Sequence, residues 1–113
     1  MHFRASSFQP TFQKHAGRTC GGIQIHVTSR EQFEPVITGV AVVKAARDLY
    51  PEQFLWKEPP YEYVYDQNPF DVIAGTASLR EALERGDALE TIQDSWGANL
   101  KVFMAEREKF LLY

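Results

Sequence analysis

Gly21-Gly22-Ile23-Gln24-Ile25-His26-Val27-Thr28 is the stretch that decides the fold class. Ile23, Ile25 and Val27 alternate with Gln24, His26 and Thr28. Successive side chains of a strand point to opposite faces, so this period of two predicts a strand from Ile23 to Thr28. Its aliphatic face belongs against a core, and its polar face, continued by Arg30, belongs to solvent or to a cleft. Upstream, His2 to Phe12 has extended character and ends near Pro10, and Gln13 to Cys20 reads as a polar loop closed by Gly21-Gly22. Downstream, Ser29-Arg30-Glu31-Gln32 reads as a turn.

Helical spacing begins at Pro35, whose missing N–H costs nothing in a first turn. Val36, Val40, Val43 and then Ala46 or Leu49 recur on one side, and Pro51 ends the run. The β-branched residues also suit a strand, but a length of about fifteen residues favours a helix. Phe54-Leu55-Trp56 is short and extended, Glu58-Pro59-Pro60 is a stiff connector, and Tyr61 to Tyr65 reads as a strand or an ordered arm. Thr76 or Ser78 caps a helix that contains Leu79 and Leu83 and stops at Gly86. Asp87 followed by Glu90 resembles a capping box. The helix expected after it carries Leu89, Ile92, Trp96, Leu100, Phe103 and Met104 as an apolar stripe, with Gly97 inside it and a close helix–sheet contact to tolerate the glycine. The apolar ending Phe110-Leu111-Leu112-Tyr113 is expected to tie into the core. The whole predicts an α+β domain spanning residues 1–113: a small mixed or antiparallel sheet with one face packed by three or so helices.

Composition sets the outer bounds. A chain of 113 residues with 44% apolar and 24% charged side chains has enough apolar material for one core without staples. A net charge of −3 argues against general nucleic-acid binding. Cys20 is the sole cysteine, so no internal disulfide forms. No apolar run reaches the roughly 18 residues of a membrane span, and Met1-His2-Phe3-Arg4 lacks the apolar core of a signal peptide.

Five groups of residues carry candidate chemistry. The polar strand face of Gln24, His26 and Thr28 with Arg30 suits a sugar or carboxylate, although a solvent-facing strand alternates in the same way. Cys20 with His2, His15 and His26 suggests a thiol nucleophile or a zinc site, but the spacing matches no compact metal motif. Glu58, Glu62, Asp66 and Asp71 offer the carboxylates that glycoside hydrolysis needs. Trp56, Tyr61, Tyr63 and Tyr65 suit a sugar platform, a docking surface or a core. Lys14, His15 and Arg18 form a basic loop suited to a substrate carboxylate, or are plainly solvated.

Read in order, Phe8-Gln9-Pro10-Thr11-Phe12-Gln13-Lys14-His15-Ala16-Gly17, Cys20-Gly21-Gly22-Ile23-Gln24-Ile25-His26-Val27-Thr28 and Arg30 resemble one family signature. It runs F-x-P-x-F-x-K-x-x-G and then C-x-G-V-Q-x-H-V-T-D-R. Phe33-Glu34-Pro35-Val36, Thr38-Gly39, Pro59-Pro60-Tyr61-Glu62-Tyr63, Phe70-Asp71-Val72-Ile73-Ala74-Gly75 and the ending Phe110-Leu111-Leu112-Tyr113 continue the match. The family is that of the bacterial exo-β-N-acetylmuramidases, the NamZ-like proteins.

The resemblance implies that the chain is most of a C-terminal α+β domain whose partner is an N-terminal Rossmann-like domain carrying the main catalytic carboxylate. It implies release of N-acetylmuramic acid from the non-reducing ends of peptidoglycan fragments, with this domain as one wall of the cleft. It implies no metal or organic cofactor, no nucleic acid and no membrane partner, and an extracytoplasmic location. Gln24, His26, Thr28, Arg30 and Lys14 become the expected substrate contacts, with Tyr61 and Asp71 beside them, and no proton donor is assigned within the chain. The signature's Asp is Ser29 here: if that Asp orients Arg30 or a substrate hydroxyl, the role is weakened, and if it caps a turn, serine substitutes well. The alternative is a non-catalytic interaction or glycan-binding module, docking through the aromatic arm.

Overall fold

The alternating stretch does form a strand, shifted toward the N-terminus. In the computed structural model, which describes residues 1–112, β1 (His2–Phe8) pairs antiparallel with β2 (Cys20–His26). Register runs from His2 opposite His26 to Phe8 opposite Cys20. β2 stops at His26, not Thr28, where its ladder with β1 ends at His2. It starts at Cys20, not Ile23, because Phe8, Ser7 and Ser6 pair with Cys20, Gly21 and Gly22. The two glycines therefore lie within the strand and do not end the loop before it.

Residues 9–19 join the strands in an ordered loop. Gly17 N–H donates to the Pro10 carbonyl at 2.9 Å, and Gln9 Nε2 returns a bond to the Gly17 carbonyl at 2.6 Å. Gln13 and His15 both hold left-handed backbone, at φ 58° and 60°. That conformation is uncommon for residues with a Cβ and persists only where the surroundings fix it.

The chain divides into two compact units, Met1–Pro35 and a second from Val36 onward. The second is helical. α1 (Pro35–Leu49) forms where spacing and the flanking prolines place it. Ile37, Val40 and Val43 make its packed side, whereas Val36 and Leu49 are exposed. α2 (Pro69–Ala74) is opened by Asn68, whose Oδ1 accepts the Phe70 N–H at 2.9 Å, and closed by Gly75 at φ 73°. α3 (Ser78–Arg85) begins where the Thr76 hydroxyl accepts the Ser78 N–H at 3.1 Å. It ends as the sequence predicts, at Gly86, with φ 83°. Gly86 N–H reaches the Leu83 carbonyl and Asp87 N–H the Ala82 carbonyl, which satisfies two orphan acceptors.

One long helix was expected next, and two are found, α4 (Leu89–Asp94) and α5 (Gly97–Glu108). Ser95 turns its hydroxyl back onto the Ile92 carbonyl at 2.6 Å, the competition with helical bonding that serine favours. Gly97 therefore opens α5 instead of weakening a helix interior, and no atom lies within 4 Å of where its Cβ would be, so no close contact explains it. The capping box is also absent, because Asp87 pairs with Arg85 at 2.8 Å and the cap position falls to Ala88.

The helical core is small. Val40, Ala82, Leu83 and Ile92 are buried, with Trp56, Phe70, Leu79, Leu89 and Trp96 packed around them. Leu83 is 0% exposed. Arg47 Nη2 donates to the Glu84 carbonyl at 2.7 Å and ties α1 to the C-terminal turn of α3. The apolar ending does not join this core: Phe110 and Leu112 are 80% and 96% exposed. Tyr113 lies outside the described residues. The expected α+β class with an antiparallel sheet is what the chain adopts. The sheet has two strands, and Ile23 and Ile25 on its aliphatic face remain partly open.

Candidate functional site on the hairpin

Cross-strand partners in an antiparallel pair share a face. The register therefore sets His2 beside His26, Arg4 beside Gln24 and Ser6 beside Gly22 on one side of the hairpin. Phe3 with Ile25 and Ala5 with Ile23 occupy the other. The polar face read in β2 is thus doubled by β1. His2, Phe3, Arg4, His26 and Thr28 line an open hollow of about 400 Å³. Sequence reasoning named Gln24, His26 and Thr28 but missed Arg4 as a site residue and His2 in this role. The signal was present in His2-x-Arg4-x-Ser6, a second period-two polar run.

Arg30 follows the strand in a turn whose carbonyl accepts the Phe33 N–H at 3.3 Å. Ser29 Oγ donates to Glu31 Oε2 at 3.1 Å. Serine therefore serves a local turn, holding the residue after Arg30. The Glu31 carboxyl lies below the usual carboxylate range, first through a backbone N–H bond and then through the Ser29 hydroxyl. Lys14 sits in the loop between the left-handed Gln13 and His15.

The charge of this unit is distinctive. Residues 1–35 carry Arg4, Lys14, Arg18 and Arg30 against Glu31 and Glu34, a positive surplus in a chain of net charge −3. Among the described residues none of those four cations forms an ion pair. Exposed cations without an ion pair suit an anionic ligand.

Cys20 is half-buried and turns its Sγ toward the Arg18 carbonyl at 3.6 Å. It pairs with Phe8 at one end of the ladder, while His2 and His26 pair at the other. Six residues of strand span about 20 Å, which rules out a thiol–imidazole pair with either histidine. Among the described residues no group of three or more His, Cys, Asp or Glu side chains could hold a metal.

Tyr61 and Asp71 belong to the helical unit. Arg80 Nε lies 2.9 Å from Asp71 Oδ1, and its Nη2 lies 2.9 Å from Oδ2. Arg80 Nη1 reaches Glu84 at 3.1 Å. These charge-assisted bonds raise the Arg80 pKa above its ordinary value, with Asp71 the larger cause. Asp71 is 13% exposed and has both oxygens engaged in joining α2 to α3. Tyr61 and Val64 exchange backbone bonds at 3.0 and 2.9 Å around Glu62, so the aromatic arm is a tight turn. Tyr63 and Tyr65 are exposed, and Trp56 packs instead on Phe54 and Phe70, at centroid distances of 4.9 and 4.8 Å.

Residues 1–113 match the family model described as exo-beta-N-acetylmuramidase NamZ, C-terminal. The chain belongs to that family. It is 42% identical over 111 residues to the peptidoglycan beta-N-acetylmuramidase NamZ of Bacillus subtilis (strain 168). The match covers 98% of this chain and 25% of that protein, so the chain spans about a quarter of the length of this NamZ relative. No solved structure gives a significant match. Among the described residues no helix is long and apolar enough to cross a membrane.

Proposed function

We propose that residues 1–113 act as one C-terminal domain of a peptidoglycan exo-β-N-acetylmuramidase and form one wall of its sugar cleft. The reaction is release of N-acetylmuramic acid from non-reducing ends. Gln24, His26, Thr28 and Arg30 contact the sugar, and Lys14 reaches it from the loop. The observation that carries this reading is the exposed polar face shared by β1 and β2, on a unit with surplus positive charge. Family membership supports the choice of substrate class.

The proton donor comes from a second, N-terminal catalytic domain of Rossmann-like fold. On the hairpin unit Glu31 is held toward its ionised form, which suits it poorly to donate a proton. Asp71 takes the role of a structural carboxylate that fixes α3 on α2, and Tyr61 that of a secondary contact. No cofactor takes part. A peptidoglycan substrate places the enzyme outside the cytoplasm.

The test is a chimera in which this chain replaces the C-terminal quarter of the B. subtilis relative, assayed for N-acetylmuramic acid release. Turnover within about tenfold of the parent supports the reading. A folded chimera that binds no muramic acid sugar and turns over none contradicts it.

A second reading is favoured by α5, none of whose residues is buried. Leu100, Phe103 and Met104 form an exposed apolar side suited to covering by another domain. A chain that serves only as a docking module would support a fully active chimera after loss of the hairpin's polar side chains.

A further inference from the structure

We infer that β1 completes the sugar site: Phe8, its edge against Gly22, is the ring on which the pyranose stacks, and Arg4 pairs with the substrate's carboxylate. The inference rests on the sugar-cleft reading above and names residues and a ligand group that it left open.

A Cβ built on Gly22 would lie 2.9 Å from Phe8 Cε1, 3.7 Å from Cζ and 3.9 Å from Cδ1. One edge of the ring therefore rests directly on the β2 backbone. Gly22 does not have a positive φ, so its backbone conformation does not require glycine. What favours glycine is the approach of the ring, which a Cβ would push aside. The neighbouring Gly21 has nothing within 4 Å of its Cβ position, so crowding is specific to Gly22. Phe8 is nonetheless 52% exposed. An edge of the ring meets the strand, and Phe8 shares the face of the ladder that carries Arg4, Gln24 and His26.

The spacing suits a hexose. Gly22, Gln24 and His26 are two residues apart along one face, about 7 Å per step. A pyranose stacked on Phe8 over Gly22 would put its substituents at the Arg4–Gln24 pair. Gln24 offers an amide donor and an amide acceptor for an acetamido group. Arg4 is exposed and unpaired among the described residues, and no Asp or Glu shares this face with it. A planar guanidinium in that position recognises a carboxylate through two parallel bonds. N-acetylmuramic acid carries such a group on its lactyl ether, and N-acetylglucosamine does not. Arg4 is then the determinant that separates the two.

Amide-resolved NMR titration of the 113-residue chain with each sugar tests this. N-acetylmuramic acid is expected to shift Arg4, Phe8, Gln24 and His26 and to bind about tenfold more tightly than N-acetylglucosamine. Arg4→Gln is expected to remove that preference and leave the weaker affinity. Phe8→Leu, which still covers Gly22 but has no flat face, is expected to weaken both sugars alike. Gly22→Ala is expected to do the same by displacing the ring, and Phe8→Leu decides the matter if that variant does not fold. Equal affinity for the two sugars, or an unchanged preference in Arg4→Gln, overturns the role of Arg4. Unchanged binding in Phe8→Leu, or no shifts on this face with either sugar, overturns the stacking site. An active chimera that is indifferent to both residues overturns this inference alone and leaves the muramidase reading standing. Sugar binding that responds to both in an inactive chimera keeps the site and removes the reaction.

Discussion

The two units hold their cations differently. In the helical unit several are paired: Lys44 holds Asp48 at 3.0 Å, Arg80 holds Asp71 and Glu84, and Arg85 holds Asp87. The hairpin unit leaves Arg4, Lys14, Arg18 and Arg30 without an ion pair among the described residues. Apolar burial divides in the same way. The buried residues Val40, Ala82, Leu83 and Ile92 all lie in the helices, while Phe3, Ile23 and Ile25 of the hairpin stay exposed. Apolar burial is thus concentrated in one region, and a surplus of positive charge without ion pairs in the other.

The contrast is sharpened first at Leu83. Leu83→Ala is expected to cost about 3 kcal/mol, since a fully enclosed leucine leaves a cavity when truncated. Denaturant unfolding with fluorescence from Trp56 and Trp96, both packed around the core, would read it. A loss below about 1 kcal/mol would mean that the helices are held by something other than this cluster. Next comes Asn68→Ala, which removes the side-chain cap of α2 and is expected to cost about 1 kcal/mol. Faster amide exchange at Phe70 would mark it. The smallest effect is expected at Ser29→Ala, which should move the Glu31 titration upward toward the ordinary carboxylate range. Because folding depresses the Glu31 pKa, its contribution is present above the unfolded value and is lost as pH falls through the folded one. Carboxyl NMR across that acidic window would detect the shift, and no movement would show that the backbone N–H alone sets it.

Local signals in the sequence carried far. Alternation revealed β2, prolines bounded α1, and Gly86 marked the end of α3. Each is a short-range effect of backbone sterics or face periodicity. The misses are competitions that a local pattern does not resolve. Asp87 suits a cap and an ion pair equally well, and Arg85 took it. Ser95 split a stripe that periodicity read as one helix. Asp71 looked available until Arg80, nine residues on, engaged both its oxygens. The candidate site was half legible for the same reason. Gln24 and His26 announce a polar face, but their partners Arg4 and His2 are fixed by register, and pairing across the 9–19 loop is not a local property. Phe8 was visible only as a motif residue, because its place over Gly22 depends on that register too.

The most direct test of the central claim is the rate at which the chimeric muramidase releases N-acetylmuramic acid with His26 intact and as His26→Ala. The hairpin account predicts at least a tenfold loss in kcat/KM, with the variant's fold unchanged by amide NMR. A rate equal to that of the parent would contradict the account and return the polar face to ordinary solvent exposure.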